Sequence, residues 1–315
     1  MIFAAIDIGS NAVRLLLSDV VKDTPEVIRR GSFIRVPVRL GDDAFDRRFI
    51  SGEKIEILVR TMNVFRIIMD AYRPVDYMAC ATSALREASN GPEIADRIGR
   101  ETGIAVEIIG GRREAEIIHT GYAAHFIRRG APYLSIEVGG GSTELTMFSG
   151  TPDYANHNPG TPSGDGKIES CAFAVGTVRM LKNRMDKAEW NNMREWVKTR
   201  TGGYRPLTGI GSGGNINVLF GMSLVKEGMP LDVRKIRSMY TFFRSRSLED
   251  RVTELGLRPD RADVIIPAME ICLAIMKWAD ISEIIVPKLG LVDGIIRVLY
   301  ENNKIKVVPA PPAGE

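Results

Sequence analysis

SIEVGGGSTELTMF, residues 135–148, lays over AIDIGSNAVRLLLS, residues 5–18, with a constant offset of 130 residues. Glu137 falls on Asp7 and Gly139 on Gly9. In each copy an apolar run carrying one acid enters a turn of small residues and leaves as a second β-rich run, which is the pattern of a hairpin. A repeat at this distance predicts a duplicated lobe, each copy opening with the same hairpin.

Working outward, the run around 26–36 extends the first sheet. Ile55, Leu58, Val59, Met62, Phe65, Ile68, Met69 and Tyr72 then recur at helical spacing and predict an amphipathic helix that covers one sheet face. Strand-like 77–81, a helix near 92–101, strand-like 106–109 and a helix from about 113 to 126 alternate as parallel strands with crossover helices do. The second copy continues with a strand near 168–174, helices near 177–184 and 187–199, a strand at 206–210, a helix after Gly214, a long apolar helix at 263–280 and a last helix near 292–301. The expected fold class is α/β with two lobes, 1–126 and 127–315, the last helix able to pack back on the first lobe. Residues 151–167, rich in Pro, Gly, Asn and Asp, read as a flexible insertion dispensable for function, and PAPPAGE at 309–315 as a frayed tail.

Composition narrows the function. At 44% hydrophobic content the 315 residues can build two cores, and a net charge of +3 provides no broad field for nucleic acid or an acidic membrane. Cys80, Cys171 and Cys272 are odd in number and widely spaced, which argues against a disulfide framework and for a reducing cytoplasm. The opening MIFAAIDIGS lacks a basic leader and reads as a strand, and no run approaches the roughly 18 apolar residues of a membrane span. His119, His125 and His157 show no metal-ligand spacing, and no GxSxG element is present.

The turns carry the chemistry. Small residues leave successive backbone N–H groups unpaired and let a phosphate approach without side-chain clash. Gly9, Ser10 and Asn11 form one such turn, and Gly139, Gly140, Gly141 and Ser142 the other. Asp7 and Glu137 precede them by two residues, where a carboxylate could hold Mg²⁺ or Mn²⁺ beside the phosphate, and Glu144 on the outgoing run could reach the same ion. Gly213 and Gly214 in GSGGN, between a strand and a helix, make a third anion-facing turn.

AAIDIGSNAVRLLL (4–17), ATSALREASN (81–90), EIIGGRREAEII (107–118), IEVGGGSTEL (136–145) and RADVIIPAMEI (261–271) occur together in order. In this the chain resembles the exopolyphosphatase and guanosine-pentaphosphate phosphohydrolase family of the actin, Hsp70 and sugar-kinase superfamily. The resemblance implies two ribonuclease-H-like lobes with an interlobe active-site cleft, a catalytic glutamate at Glu114, and phosphate-binding arginines at Arg86 and Arg261, with Arg39 in a further family segment. It implies a hydrolase of phosphoanhydrides acting on inorganic polyphosphate, with guanosine pentaphosphate as the alternative substrate. Longer relatives carry a further helical region, so short chains are expected here. The sequence departs from the family pattern at Glu137, where Asp is usual, and in GSGGN. An ATP-dependent kinase of the same fold, or a phosphate-compound sensor without turnover, are the readings from other classes. Neither nucleic acid nor membrane is an expected partner, and a homodimer is left open.

Overall fold

The computed structural model describes residues 1–20, 28–126, 132–149 and 167–307. Residues 151–166 of the expected 151–167 insertion, with His157, and the 309–315 tail lie outside the described residues, while Lys167 opens a strand.

The first sheet contains β1 (Ile2–Ile8), β2 (Val13–Val20), β3 (Ile28–Val36), β4 (Asp76–Ala81) and β5 (Val106–Ile108), in the order β3-β2-β1-β4-β5. The second contains β6 (Tyr133–Val138), β7 (Thr143–Ser149), β8 (Lys167–Phe173), β9 (Thr208–Ser212), β10 (Leu231–Asp232) and β11 (Glu283–Ile285), in the order β8-β7-β6-β9-β11-β10 when read from its β8 edge. In both sheets three antiparallel strands are followed by parallel ones, with β10 added antiparallel at the far edge of the second: β1 pairs antiparallel with β2 and parallel with β4, and β6 pairs antiparallel with β7 and parallel with β9. The internal repeat of the hairpins is thus the visible part of a duplicated ribonuclease-H-like lobe, and the pair makes the actin-like two-lobed architecture.

Period-two alternation within these strands decides where the polar residues go. On β1, Ala4, Ile6 and Ile8 enter the core under the helix Gly52–Tyr72, while Phe3 and Ala5 face the other lobe. On β6, Leu134, Ile136 and Val138 enter the second core, while Tyr133 faces the first lobe. Both faces of each strand are therefore buried, which accounts for their unbroken apolar character. Parity then places Asp7 and Glu137 on the interlobe face, and the hairpin register puts Arg14 opposite Asp7 and Glu144 opposite Glu137.

Two helices fill the space between the sheets. Gly111–Phe126 packs against β7 and β8, and Leu291–Val307 packs against it and against β1, β2 and β4. Their crossing depends on Gly294, whose added Cβ would lie 2.6 Å from the carbonyl carbon of Ile117. The last helix is anchored to the first lobe by Asp293, which accepts two hydrogen bonds of 2.6 Å from Arg30. Gly221, near the end of the helix Gly214–Met222, faces open space and has no such role. Gly221→Ala is expected to stabilise the protein by about 0.4–1 kcal/mol through the entropy of the unfolded chain, measurable by denaturant unfolding.

Candidate active site

The two hairpin turns meet across the lobes. An added Cβ on Gly140 would lie 3.1 Å from Ser10 Cβ and 3.6 Å from the backbone nitrogen of Asn11, so the turns could scarcely approach closer. Each closes in the same way: Gly9 N–H donates to Ala12 O at 3.2 Å, and Gly139 N–H to Ser142 O at 2.9 Å.

Their carbonyls are held from behind by a strap that follows the third strand of each lobe. In the first lobe the N–H groups of Gly41 and Arg39 donate to Ser10 O at 2.8 Å and Asn11 O at 3.1 Å. In the second, those of Thr177 and Val178 donate to Gly139 O at 3.1 Å and Gly140 O at 2.8 Å, and the Nε of Arg179 donates to Gly141 O at 2.5 Å. With the carbonyls so engaged, the N–H groups of Ser10, Gly140 and Gly141 have no acceptor among the described residues. Free N–H groups on small residues in this form are suited to an anion.

The pocket between the turns is lined by four carboxylates, Asp7, Glu114, Glu137 and Glu144. Asp7 is paired with Arg14, Glu137 accepts from the Ser212 hydroxyl, and Glu144 from the Ser142 hydroxyl. Glu114 stands in the first turn of the helix Gly111–Phe126, and its Oε2 accepts no hydrogen bond among the described residues. Arg86 Nη1 is 3.7 Å from that oxygen and donates to Ile109 O at 2.7 Å.

Burial, reinforced by the neighbouring carboxylates, pushes Glu137 up to about 7. Burial alone pushes Glu144 up to about 7 against the Ser142 hydrogen bond and the nearby charge of Arg86. It raises Asp7 despite Arg14, and raises Glu114 well above the ordinary range with Glu144 and Asp7 adding to it. A carboxyl group whose pKa is higher folded than unfolded contributes stability below the unfolded value near 4.5, and that contribution is lost as pH rises through about 7. The cation-free protein is therefore expected to melt about 5 °C lower at pH 8 than at pH 5.5, as read by calorimetry.

Most residues singled out from the sequence converge here. Asp7, Gly9, Ser10, Asn11, Gly139, Gly140, Ser142, Gly214 and Arg261 line the pocket with Glu114, Glu137 and Glu144. Arg261 is buried, not a surface residue, and donates through Nη1 to Asn215 Oδ1 at 2.8 Å. Gly214 admits it, since a Cβ there would lie 2.7 Å from Arg261 Nη1. Burial, with Arg35 and Arg14 nearby, lowers Arg261 to about 9, so an anion beside it would be welcome.

Three residues sit behind the pocket. Gly141 packs under the Phe45 ring and Ser83, Gly213 takes a φ of +98° beneath Glu137, and Arg86 stands 3.7 Å from Glu114 with its charge also felt by Glu144. Arg39 is taken up by ion pairs with Asp42 and Asp263 at 2.9 and 2.8 Å. Asp7, Glu137 and Glu144 do not draw together into a cluster: among the described residues no three His, Cys, Asp or Glu side chains gather as a metal-binding group.

Arg14, Thr82, Ser83, Thr177 and Asn215 line the pocket without having been singled out. Arg14 could have been found, because the 130-residue offset that equates Asp7 with Glu137 also equates Arg14 with Glu144. Thr177 is brought in by the strap, which no local pattern marks.

A family model for the Ppx/GppA phosphatase family matches residues 27–302. The chain belongs to that family. It is 32% identical over 208 residues to a bifunctional 3-dehydroquinate synthase/phosphatase of Fusobacterium nucleatum, a match that covers 62% of this chain and 29% of that protein's length. Its fold is similar to that of an exopolyphosphatase from Cytophaga hutchinsonii, with a TM-score of 0.80 and 23% identity over 96% of this chain and 98% of the other. The Aquifex aeolicus member of the Ppx/GppA family gives a TM-score of 0.72, again at 23% identity, over 96% and 99% of the two chains. Among the described residues no helix is long and apolar enough to cross a membrane.

Proposed function

We propose that this Ppx/GppA protein is an exopolyphosphatase, removing terminal phosphate from inorganic polyphosphate by direct attack of water. The observation that carries this reading is the confrontation of two nest turns in one pocket with the Oε2 of Glu114 beside them, which accepts no hydrogen bond among the described residues. The nests would hold the terminal phosphoryl oxygens by backbone N–H groups, with Arg261 adding charge at the pocket wall. Glu114 orients the water and takes its proton as the new P–O bond forms and the bridging P–O bond to the chain breaks. Once ionised, a carboxylate with a raised pKa is a stronger base than a free one, which suits Glu114 to the task.

The donor set is also suited to a hard divalent cation such as Mg²⁺, which binds through oxygen and commonly takes only one or two protein carboxylates beside water and phosphate. Glu137 and Glu144, opposite one another across the hairpin, would hold it, with Asp7 left to its ion pair with Arg14. When bound, such an ion supplies positive charge that neutralises phosphate oxygens. Mg²⁺ is expected to raise the melting temperature more at pH 8 than at pH 5.5, because it stabilises the ionised carboxylates.

Inorganic polyphosphate is the substrate of this reading, with guanosine pentaphosphate as the alternative. Free thiols at Cys80, Cys171 and Cys272 accord with a cytoplasmic setting. Phosphate release from polyphosphates of graded length, guanosine pentaphosphate and ATP, compared side by side with Mg²⁺, tests the assignment. Turnover of polyphosphate above the two nucleotides supports it. Release from guanosine pentaphosphate or ATP alone would overturn it.

A further inference from the structure

The two straps differ at one point. In the first lobe both capped carbonyls accept from backbone N–H groups, whereas in the second Gly141 O accepts from a side chain, the Nε of Arg179. That side chain is one-tenth exposed and reaches well beyond the turn. Its Nη2 pairs with Glu87, and its guanidinium carbon lies 4.1 Å from the centroid of the Phe45 ring. Glu87 and Phe45 both belong to the first lobe. The Phe45 ring in turn lies against Gly141, where a Cβ would meet it and would also come within 2.6 Å of Ser83 Oγ.

One planar cation therefore touches the carbonyl side of the second phosphate turn, an acid of the opposite lobe, and an aromatic ring that itself packs on the turn. We propose that Arg179 is a positioning residue that couples the orientation of the Gly139–Ser142 turn to the juxtaposition of the two lobes. Pulling the Gly141 carbonyl outward keeps the neighbouring N–H groups aimed into the pocket. Gripping Glu87 and Phe45 makes that aim depend on the first lobe being in place. A guanidinium fork can make these contacts at once and stack on a ring, which an ammonium on a flexible stem cannot. The link to turnover rests on reading the turn as a phosphate site; the link between the lobes does not.

The test has two readouts. Spin labels at Asp70→Cys and Glu195→Cys, exposed positions in the first and second lobes, report the interlobe distance in a Cys171→Ser background. Steady-state polyphosphate hydrolysis reports kcat and KM separately. Arg179→Met and Arg179→Lys are expected to broaden the distance distribution and to lower kcat by about tenfold to a hundredfold with little change in KM, since small misplacements of a catalytic surface cost about that much. Lysine fails to rescue. Glu87→Gln, at a partly exposed position that folding tolerates, broadens the distribution while leaving Gly141 O capped, and combines with Arg179→Met less than additively. A residue that only stabilised the fold would lower the melting temperature and leave kcat of the folded enzyme unchanged. Narrow distributions in Arg179→Lys and Glu87→Gln, with kcat within about twofold of the parent, would overturn the proposal. Should Arg179→Met not fold, those two variants decide it. Absence of polyphosphate turnover in the parent would count against the substrate assignment, and the distance readout would still decide the coupling.

Discussion

Glu114→Gln is expected to lower kcat by about 10²- to 10⁴-fold while leaving the fold and the affinity for a short polyphosphate nearly unchanged. Gln keeps the size of Glu and its place in the first turn of the helix Gly111–Phe126, so only a few tenths of a kcal/mol of helix-dipole interaction should disappear. What it loses is the capacity to accept a proton from water. The barrier should rise by about 3 to 5 kcal/mol, far more than any capping role accounts for. Glu114 is buried among Asp7, Glu137 and Glu144, so removing its ionisable group should also relieve like-charge crowding. The variant is therefore expected to lose less melting temperature than the parent between pH 5.5 and pH 8. Single-turnover phosphate release beside equilibrium binding of tripolyphosphate checks the assignment. Normal release would take Glu114 out of the reaction, and loss of binding together with release would make it part of substrate assembly.

The helix that carries Glu114, the two turns and their acids were legible because each depends on local pattern, whereas the role of Glu114 came from the family resemblance. The apolar run of β1 and its repeat in β6 specify strands buried on both faces, and an acid at an odd position within each must then lie on the interlobe side. Hairpin geometry likewise follows from Gly9 and Gly139 within nearly identical frames. The helix Val233–Arg244 was passed over although Ile236, Met239 and Phe243 recur at helical spacing, since the Arg and Lys residues between them obscure the stripe. Contacts made by chain segments far apart were not legible at all. Asn11 donates to Asp260 O at 3.0 Å, Arg35 pairs with Asp260 at 2.5 Å, and Arg179 meets Glu87. Nothing in the neighbourhood of any of these residues announces its partner. The burial of Arg261 was not legible for the same reason, because it depends on the close packing that Gly214 allows.

Gly176→Ala is expected to reduce kcat/KM by about a hundredfold or more although Gly176 touches no reacting atom. Its backbone is extended, with φ −145° and ψ 162°, so alanine meets no conformational penalty there. The obstacle is space: the new methyl would strike Gly140 O and lie 2.5 Å from the carbonyl carbon of Gly141 and 2.6 Å from that of Gly140. These are backbone atoms of the second nest and cannot swing aside as a side chain could. Either the strap retreats, stretching the bonds from Thr177 N–H to Gly139 O and from Val178 N–H to Gly140 O, or the turn itself moves into the pocket. Both outcomes turn the nest N–H groups away from the phosphoryl oxygens they would stabilise. Overpacking of this kind also costs about 1–3 kcal/mol of stability, so a lower melting temperature accompanies the loss. Gly203→Ala, where nothing lies within 4 Å, is the matched control and should change neither quantity appreciably. Kinetics on the folded fraction separate the two effects: a Gly176→Ala protein that melts early yet turns over normally would show that the strap supports the lobe without aiming the turn.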